Sequence, residues 1–497
     1  MNFVEYLFEH IQNPSRVCIL YREGSLTYLD IMSQVDDLAG YLTTTIGWGN
    51  ECLLLSENTP FFVIAYLAII KSGNTALLVE TRISDESLAS IFRECRIRTS
   101  FVQEKYRSKI ANNGTVFTED LLMALPHTKM PKNHCVEDND VAVVIFTSGS
   151  TGAKKGVMLT HRNLCANTES IVQYLSLTSQ DRICATLPFF YCYGASLLHT
   201  HLRAGGSVVL SNNIFLGGAI RDINTFSCTG FAGVPSTYQI LINKTPFLKE
   251  ELPTLRYMMQ AGGQLPNKYI RLIAETFPKK EFFVMYGATE ATARLSYLPP
   301  AMVITKLGSI GKGIPGVTLE VLNGDGKPVQ PGETGEITAR GDNIMKGYYG
   351  DPEGTRSVIK NGRLYTGDLA TVDDEGYIYI VGRAKNIIKS GGYRISPNEI
   401  EEFICSLDGV NGCVVLGLPD EIMGEAVVAV VQPGDIPEPS LKEEILARCT
   451  QHLPSYKVPT AVYFVREFPL NASNKVDKQA LVAELGKKKG WYDNARR

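Results

Sequence analysis

The chain of 497 residues contains few of the residue patterns that metal sites and disulfide frameworks require. Its 11 cysteines include no Cys-x-x-Cys pair, and its 7 histidines are scattered along the sequence. This pattern argues against a zinc ribbon or a disulfide scaffold and suits a reducing compartment. His199 and His201 lie two positions apart, a spacing that would not place both on one face of a helix. We therefore do not expect them to form a metal site.

The chain also lacks an excess of charge of either sign and a long hydrophobic run. Its 49 Lys and Arg residues nearly balance 52 Asp and Glu residues, which leaves a formal net charge of −3. This balance gives no reason to expect nucleic acid or an anionic membrane as a partner. The longest apolar run, residues 61–70, is too short to span a bilayer and fits a buried helix that begins after Pro60. The acidic, amphipathic N-terminus is unlike a signal peptide, so we expect a cytoplasmic protein without an integral membrane segment.

The order of apolar patterns predicts an α/β protein of two domains. Strand-like and helix-like runs alternate over the first 140 residues and over residues 181–300, which indicates sheets covered by helices. From about 305 to 384, short strands come with frequent glycine, which indicates a small β-rich subdomain. We predict a large N-terminal core, 1–384, and a small α+β C-terminal domain, 385–497.

Local signals place several elements. Lys268–Phe277 is a predicted helix, and residues 432–440 are a predicted proline-rich loop. Another helix should begin near 396, with Ser396 as its N-cap, Pro397 at its first position and Glu399 at its third.

The loop at residues 147–156 is the most informative stretch, and it follows a predicted buried strand at 141–146. It reads Thr-Ser-Gly-Ser-Thr-Gly-Ala-Lys-Lys-Gly, with three glycines, four hydroxyls and two lysines. This composition suits a polyphosphate, because glycine lets backbone N–H groups approach and lysine supplies positive charge. The alternative is an ordinary polar surface loop, since loops favour the same residues.

Two glycine patterns do not have the spacing or context of known nucleotide motifs. Neither Gly149 nor Gly152 is followed at the required spacing by the Gly-Lys-Ser/Thr of a P-loop. Gly311-Lys-Gly-Ile-Pro-Gly316 satisfies G-x-G-x-x-G, but it precedes a predicted strand at 317–322 rather than a helix. We predict that this second pattern is a loop.

Five further motifs follow the glycine-rich loop in a fixed order. They are Met285-Tyr-Gly-Ala-Thr-Glu-Ala-Thr292, Tyr365-Thr-Gly-Asp-Leu369, Gly382-Arg-Ala-Lys-Asn386, Lys389-Ser-Gly-Gly-Tyr-Arg-Ile-Ser-Pro-Asn-Glu-Ile-Glu401 and Asn471-Ala-Ser-Asn-Lys475. The series closely resembles the AMP-forming adenylate-forming superfamily, which includes acyl-CoA synthetases, adenylation domains of peptide synthetases and luciferases. The resemblance covers nearly the whole chain.

The resemblance implies a two-step ligase that uses ATP and Mg²⁺. A carboxylate attacks the α-phosphate of ATP, which releases pyrophosphate and leaves an acyl-AMP, and a pantetheine thiol then takes the acyl group. Both reactants of the first step are anions, so the site must supply positive charge and exclude water. In this resemblance Lys475 bridges the carboxylate and the α-phosphate, and Lys155 is the charge of the phosphate loop.

Other roles follow from the same resemblance. Tyr286 would stack on adenine, Thr289 would bond a phosphate oxygen, and Glu290 would hold Mg²⁺ as a hard oxygen ligand. Asp368 would accept from the ribose hydroxyls with help from Arg383. Taken singly, Glu290 could be a helix N-terminal acid, Asp368 a turn cap and Lys475 a solvated lysine. The full implied nucleotide set is Thr147, Ser148, Gly149, Ser150, Thr151, Gly152, Lys155, Gly263, Gln264, Tyr286, Gly287, Thr289, Asp368, Arg383 and Lys475.

The small C-terminal domain resembles the mobile lid of the family, which rotates between the two steps. The hinge implied by the resemblance is Lys385. After rotation the loop that begins at Lys389 would face the site, and Gly391 and Gly392 would let the pantetheine arm pass along bare backbone.

Three positions depart from the family's usual pattern. Lys154 stands where proline is common, Asn474 stands where glycine precedes the last lysine, and Tyr191 stands where many acyl-CoA synthetases carry histidine. Amino-acid-activating relatives place an aspartate near Gly194, and its absence here disfavours α-amino acids, because an unpaired ammonium in a dry pocket is costly. The predicted acyl pocket for a fatty or aryl acid consists of Tyr191, Tyr193, Val234, Ser236, Ala261, Gly262 and Gly263.

The acceptor and the exact class of enzyme stay open at this stage. The acceptor is CoA or an acyl carrier protein, since Gly392-Tyr-Arg-Ile395 resembles carrier-loading domains and Gln260-Ala-Gly-Gly263 resembles acyl-CoA synthetases. The alternative function is a stand-alone amino-acid adenylation enzyme that loads a carrier protein. A luciferase-like oxidative enzyme and a silent nucleotide-binding scaffold would share the motifs.

Overall fold

The structure is a computed structural model that describes residues 1–110, 114–124, 136–148, 154–213 and 216–486. The α-helices within these ranges are α1 Phe3–Phe8, α2 Tyr28–Thr45, α3 Pro60–Lys71, α4 Asp85–Glu94, α5 Glu119–Ala124, α6 His161–Tyr174, α7 Cys192–Arg203, α8 Gly217–Thr225, α9 Pro235–Lys244, α10 Asn267–Thr276, α11 Pro352–Val358, α12 Pro397–Ser406, α13 Glu438–His452 and α14 Lys478–Gly486. None of these helices combines the length and the apolar character needed to cross a membrane.

The strands in the same ranges are β1 Val17–Tyr21, β2 Gly24–Thr27, β3 Glu51–Leu55, β4 Thr75–Leu78, β5 Thr99–Val102, β6 Thr115–Phe117, β7 Val141–Ser148, β8 Lys154–Thr160, β9 Arg182–Ala185, β10 Ser207–Leu210, β11 Gly230–Gly233, β12 Tyr257–Gln260, β13 Glu281–Tyr286, β14 Ser296–Leu298, β15 Lys312–Gly313, β16 Thr318–Leu322, β17 Gly335–Arg340, β18 Gly347–Tyr348, β19 Ile359–Lys360, β20 Arg363–Val372, β21 Ile378–Arg383, β22 Ile388–Ser390, β23 Tyr393–Ile395, β24 Val410–Asp420, β25 Gly424–Pro433 and β26 Ala461–Phe464.

Two large sheets with parallel centres form the N-terminal part. One has the order β15-β14-β13-β12-β11-β9-β10-β1-β2 and the other β18-β8-β7-β4-β3-β5-β6. Strands β9 to β13 run parallel, and β14 and β15 close that sheet in the antiparallel sense. The central strands are buried apart from the half-buried Arg182 at the start of β9, as expected when helices cover both faces of a parallel sheet.

Helix α3 lies in the middle of this core. Thr59 caps its first turn through Phe62 N, and residues 61–70 are all buried. A helix that is apolar on every side is stable only when other elements surround it. The prediction of a buried helix after Pro60 is therefore confirmed.

Two smaller sheets follow along the chain. The third sheet has the order β16-β17-β20-β19 with β21 on β20, and its pairs are antiparallel. The fourth has the order β23-β22-β25-β24 with β26 on β25, and α12 and α13 pack against it. The predicted α/β class, with a large N-terminal and a small C-terminal domain, is confirmed.

Several local predictions can be compared with these bounds. The helix predicted at 268–277 is α10, and Gly311–Gly316 is a loop that contains the short β15 and leads to β16. The loop predicted at 432–440 is too long, because β25 continues to Pro433 and α13 begins at Glu438.

The helix predicted near Ser396 begins as expected, but its cap differs. Ser396 is the N-cap of α12 and Pro397 its first residue, yet the Ser396 side chain accepts no hydrogen bond from the helix. Its hydroxyl donates instead to the carbonyl of Val381 in β21. Glu399 forms an ion pair with Lys457 at 2.7 Å. Tertiary partners therefore replace the local capping interactions.

Candidate active site

A cavity of about 830 Å³ lies at the carboxyl ends of parallel strands from both large sheets. Residues that follow β4, β12 and β13 line it, together with the first residues of α7. In open α/β sheets, ligands bind at this edge. Residues 470–473 and 475–479 close the cavity from the C-terminal part of the chain, so both parts contribute to the site.

A tight turn delivers Lys475 into this cavity. Asn471 Oδ1 accepts hydrogen bonds from the backbone N–H groups of Ser473 and Lys475, each at 3.0 Å. Asn474 has a φ of 59°, a left-handed conformation that asparagine tolerates better than most residues. Its carbonyl accepts a hydrogen bond from the Ser236 hydroxyl, which ties the turn to α9. The position of Lys475 is therefore fixed from both sides.

The Lys475 ammonium lies beside an aromatic ring in the cavity. Its Nζ is 5.0 Å from the centroid of the Tyr191 ring. Burial alone lowers the pKa of Lys475, but the Tyr191 hydroxyl leaves that pKa above its ordinary value, so the side chain stays cationic. A Cβ atom on Gly262 would lie 3.2 Å from both Lys475 Cε and Tyr191 Oη. Glycine at 262, with a φ of 90°, therefore leaves the room that this contact needs.

The segment after β13 places Thr289 and Glu290 on the cavity wall. A Cβ atom on Gly287 would lie 1.9 Å from the carbonyl oxygen of Ala293, so only glycine lets the chain fold back here. Residues 289–291 then form a single 3-10 turn. Glu290 Oε1 accepts a hydrogen bond from the Tyr348 hydroxyl at 2.8 Å, and Thr289 Oγ1 lies 3.4 Å from Cys192 Sγ.

The two lysines after the glycine-rich loop have different partners. Lys154 lines the cavity and forms an ion pair with Glu80. Lys155 Nζ lies 3.1 Å from Asp351 Oδ2 and 4.6 Å from the ring centroid of Tyr348. Lys155 is thus connected through Tyr348 to Glu290.

Only part of the predicted phosphate loop can be placed. Thr147 lines the cavity, and its neighbour Ser148 ends β7 opposite Lys154. The predicted residues Gly149, Ser150, Thr151 and Gly152 lie outside the described residues.

Asp368 and Arg383 lie on neighbouring strands of the third sheet. They face each other in register, and Arg383 Nε donates to Asp368 Oδ1 at 2.8 Å. Tyr286 donates its hydroxyl proton to Asp368 Oδ2 at 2.6 Å. Burial, and then the nearby Asp368 carboxylate, raise the pKa of Tyr286 well above its ordinary value. Arg383 lines the cavity, whereas Tyr286 is buried in the apolar cluster beside it.

The predicted acyl-pocket residues divide between two cavities. Tyr191, Tyr193, Ala261 and Gly262 line the larger one. Ser236, Gly262, Gly263, Gln264 and Lys475 line a second cavity of about 260 Å³ that extends towards α12 and β24. Val234 lines neither cavity, and its Cγ1 would lie 3.1 Å from a Cβ atom on Gly262.

Gly194 has no room for a side chain. It lies in the first turn of α7, and a Cβ atom there would lie 2.0 Å from the carbonyl oxygen of Pro188. An aspartate at this position would require the backbone at 187–188 to move.

The predicted hinge residue and the residues predicted to face the pantetheine arm lie outside both cavities. Lys385 is in a 3-10 turn, Ala384–Asn386, between β21 and β22. Lys389 is in β22, and Gly391 and Gly392, with φ of 55° and 83°, form the exposed turn to β23. None of these residues lines either cavity.

Contacts between α10 and the C-terminal part hold this arrangement. Glu402 Oε1 accepts from Asn267 N at 3.0 Å, and the Tyr269 hydroxyl donates to the carbonyl of Asn411 at 2.8 Å. Lys268 Nζ donates to the carbonyl of Val410. Burial raises the pKa of Glu402.

Within the described ranges, no three His, Cys, Asp or Glu side chains come together as a metal cage. Three carboxylates line the cavity. Glu80 is paired with Lys154, and Asp477 accepts from the backbone N–H groups of Gln479 and Ala480, which leaves Glu290 as the carboxylate available to a metal ion. That arrangement fits Mg²⁺, which usually binds one or two carboxylates and completes its shell with waters and substrate phosphates.

Sequence reasoning missed several residues of the site. Tyr348 and Asp351 reach Glu290 and Lys155 from a distant part of the chain, and no local signal marks them. Arg294 also lines the cavity. The sequence signal for Arg294 is a charged residue between two apolar neighbours, Ala293 and Leu295, just before β14.

Comparison with protein-family models places the chain among known enzymes. Residues 8–349 match the family described as AMP-binding enzyme, and residues 399–475 match the AMP-binding enzyme C-terminal domain. A feruloyl-CoA synthase from Amycolatopsis sp is 32% identical over 488 residues, which cover 95% of this chain and 97% of that protein.

Solved structures are similar over the same length. ATP-bound MatB from Rhodopseudomonas palustris has a TM-score of 0.88 at 26% identity and covers 98% of this chain and 99% of its own. The o-succinylbenzoate CoA synthetase (MenE) from Bacillus subtilis, in complex with the acyl-adenylate intermediate OSB-AMP, has a TM-score of 0.84 at 26% identity and 97% coverage of each chain.

Proposed function

The chain belongs to the AMP-forming adenylate-forming enzymes, and from this premise we propose which of its residues carry each step. It is an AMP-forming acid–thiol ligase, which activates a carboxylic acid to an acyl-AMP and then forms a thioester with CoA. The observation that carries the proposal is the convergence of Lys475, Thr289, Glu290 and Arg383 on one cavity.

Lys475 acts in the first step on this proposal. The attacking carboxylate and the α-phosphate repel each other, so a cation between them lowers the barrier most when it is held in place and shielded from water. Lys475 meets both conditions, since Asn471 fixes its turn and Tyr191 covers its ammonium. Thr289 donates to a phosphate oxygen from the same wall of the cavity.

The nucleotide would lie where three sheets meet, since Tyr286 ends β13 of the first large sheet, Thr147 belongs to β7 of the other and Asp368 to β20 of the third. Asp368 accepts from the ribose hydroxyls, and Arg383 holds the carboxylate in place through its bond at 2.8 Å. Tyr286, bonded to Asp368, packs behind the adenine. Thr147, Ser148, the residues at 149–152 and Lys155 hold the terminal phosphates, and Gly263, Gln264 and Gly287 provide the backbone beside the base and the phosphates.

Glu290 is the proposed ligand for Mg²⁺. When bound, the ion neutralises phosphate charge and orients the departing pyrophosphate. Tyr348 donates to Glu290 Oε1 and so fixes the rotamer of the carboxylate. Asp351 and Tyr348 hold Lys155 near the same place, which keeps its charge available to the phosphates.

The second step would use another orientation of the C-terminal domain. We propose that residues 385–497 rotate about Lys385, which withdraws Lys475 and brings Lys389, Gly391 and Gly392 to the cavity. The exposed turn at Gly391 and Gly392 has no side chains to obstruct a pantetheine arm. CoA is the acceptor that we favour, and a free acyl carrier protein would present the same arm.

The acid is proposed to be aryl or fatty rather than an α-amino acid. Gly194 cannot carry the aspartate that would pair with an ammonium, because Pro188 fills the space. Two tyrosines and the small residues at 261–262 offer an aromatic wall with depth for a tail. The ten cysteines in the described ranges are free, which fits the cytoplasm as the proposed compartment.

The test is ATP–pyrophosphate exchange with Mg²⁺ and without a thiol, over a panel of fatty, aryl and α-amino acids. Exchange with an aryl or fatty acid is the expected result. Exchange with amino acids only would contradict the argument from Gly194. Silence over a broad panel would favour a nucleotide-binding scaffold, and light or oxygen uptake with acyl-AMP would favour a luciferase-like oxidation.

A further inference from the structure

Arg294 is a buried cation in the larger cavity that the proposed reaction does not use. The residue is 1% exposed, yet it lines the cavity. Its Nη2 has no hydrogen-bond partner, and its Nε lies 3.3 Å from the sulfur of Met285. Its other contacts are the Tyr174 hydroxyl and the face of Tyr193, whose ring centroid lies 4.1 Å from the guanidinium carbon. All of these partners are neutral.

Two other arginines over tyrosine rings show what Arg294 lacks. Arg203 lies 3.9 Å over Tyr6 and also contacts the carboxylates of Glu9 and Glu169. Arg256 lies 4.6 Å over Tyr257 and forms ion pairs with Asp181 and Glu281. Arg294 forms no ion pair with any carboxylate in the described part of the chain, although it is the most deeply buried of the three arginines.

An unpaired guanidinium at this depth is costly. Burial of a charge is tolerated when an opposite charge and hydrogen bonds replace the lost water. Polarisable partners such as a ring face and a sulfur offset only part of that cost. The remaining donors of Arg294 suit a planar anion, since the guanidinium fork matches a carboxylate in two parallel hydrogen bonds.

Two buried side-chain amides hold the backbone at Arg294 in place. Its carbonyl accepts hydrogen bonds from the side-chain amides of Asn167 at 3.1 Å and Asn343 at 3.0 Å. Both asparagines are buried. Such support from a packed shell keeps a side chain in a productive geometry.

The cavity therefore holds two cations over neighbouring tyrosines. Lys475 lies over Tyr191, and Arg294 lies over Tyr193, two positions along the chain. We propose that the acid substrate carries a second anionic group, a carboxylate, which Arg294 binds while the reacting carboxylate lies at Lys475. The inference rests on the proposed function and narrows its substrate to dicarboxylic acids with an alkyl or aryl body.

Matched acids test this inference in the full-length enzyme. The probes are hexanedioate and its monomethyl ester, and 3-(4-carboxyphenyl)propanoate and its ring methyl ester, each in ATP–pyrophosphate exchange. Each pair differs in the charge at the distal end while keeping similar size. We expect at least one diacid to be used about 10- to 100-fold better than its ester, the range for a lost charge-assisted contact.

Variants connect the preference to Arg294. Arg294→Met should lower exchange with the diacid about 10- to 100-fold more than exchange with the ester, and Arg294→Lys should keep part of the preference. Arg203→Met, which alters a tyrosine-stacked arginine outside both cavities, should leave the preference intact.

Several outcomes would overturn the inference. If each ester is used at the same rate as its diacid, Arg294 does not bind a second carboxylate. The exchange itself would still support the proposed function. An equal loss with diacid and ester in Arg294→Met would indicate a structural role. If none of these probes supports exchange while another fatty or aryl acid does, the inference fails and the proposed function stands. Silence with every acid of the broad panel would overturn both. Since the wild-type comparison needs no variant, misfolding of Arg294→Met would not prevent a decision.

Discussion

Lys475 connects the two parts of the site, because it lines both cavities, as do Gly262, Val476 and Lys478. It approaches from the C-terminal part of the chain, while Tyr191 and Thr289 belong to the N-terminal part. A cation that is brought to the reaction by a separate element can be withdrawn once its step is complete.

The Lys475→Ala variant should separate the two half-reactions. We expect ATP–pyrophosphate exchange to fall by about 100-fold or more, since a preorganised charge in a dry site contributes several kcal/mol to a transition state. Thioester formation from supplied acyl-AMP and CoA should remain within about threefold of wild type, because only the first step joins two anions. Lys442→Ala, which alters an exposed lysine on α13, is the control and should leave both rates unchanged. Equal loss of both steps would contradict this division.

At the level of single residues, the sequence predicted the site residues that lie within recognisable motifs. Thr289 and Glu290 lie in one motif, Arg383 and Lys475 in two others, and the structure brings all four to one cavity. Their roles remain predictions. Tyr348 and Arg294 could not be found in the same way, because their importance depends on contacts across the fold rather than on neighbours in the chain.

The segment between β13 and β14 is the element on which the site most depends. It carries Thr289, Glu290 and Arg294 within nine residues, from Gly287 to Leu295. Thr292 in its middle has a φ of 67°, which is unusual for a β-branched residue, and its hydroxyl donates to the carbonyl of Asn343 at 2.7 Å. A strained conformation persists when surrounding contacts determine it, and such strain is common at functional sites.

Gly287→Ala should disrupt this segment. The new methyl group would lie 1.9 Å from the carbonyl oxygen of Ala293, so residues 288–294 would have to move. We expect loss of exchange by about 10-fold or more and destabilisation by about 1–3 kcal/mol, as measured by urea unfolding. Gly324→Ala, where nothing lies within 4 Å of the added atom, should be neutral in both assays. A fully active Gly287→Ala variant would show that the close approach is not required.

At the level of elements, the long apolar run predicted its helix correctly, whereas local polar signals predicted the start of a helix but not its hydrogen bonds. Residues 61–70 are apolar at every position, and no structure other than a buried element could hold them. At Ser396 the helix start and the N-cap residue were correct, but the side chain makes no capping hydrogen bond, because its hydroxyl donates to Val381 in β21. Element positions follow from the chain itself, whereas hydrogen-bond partners depend on which other elements pass nearby.

The whole molecule must rearrange if one cavity serves both steps. In this structure Lys475 lies in the cavity, while Lys389, Gly391 and Gly392 lie outside it. The proposed rotation must break the contacts of α10 with Glu402 and Asn411 and the contact of Ser236 with Asn474. Neutral and singly charged hydrogen bonds of this kind are each modest in net energy, so such an interface can open.

Lys385→Pro should hold the molecule in its present arrangement. Proline fixes φ near −65°, a value compatible with the 3-10 turn at Ala384–Asn386 but not with a large rotation there. We expect exchange to be kept and thioester formation from acyl-AMP to fall at least about 10-fold. Lys385→Ala is the control for loss of the side chain. If Lys385→Pro forms the thioester at the wild-type rate, the hinge lies elsewhere.

The buried histidines predict the response of the fold to acid. Burial lowers the pKa of His161 to about 4, of His199 to about 3 and of His201 to about 4. The unfolded chain takes up protons near pH 6.5, so the stability from these neutral rings is complete above that pH and is lost as pH falls towards 4. The free energy of unfolding should therefore decrease steeply below pH 6.5.

His161→Asn isolates one of these contributions. His161 Nδ1 accepts a hydrogen bond from Phe3 N at 3.0 Å, and an asparagine oxygen can take the same position without titrating. Between pH 6.5 and 5, urea unfolding should show this variant losing about 1 kcal/mol less per pH unit than wild type. His452→Asn, which alters an exposed histidine, should follow the wild-type curve. Parallel curves for wild type and His161→Asn would mean that the ring takes up protons equally in the folded and unfolded states, so that burial does not lower its pKa.

The close packing of Gly194 against Pro188 limits how this enzyme could be redesigned. Conversion to an amino-acid-activating catalyst cannot begin with a single acidic substitution, because the 2.0 Å approach leaves no volume for one. A laboratory evolution experiment would first have to reshape the loop from Leu187 to Tyr191. Changes in substrate range that single substitutions can reach should therefore arise at side chains that line the cavity, such as Tyr193 and Arg294.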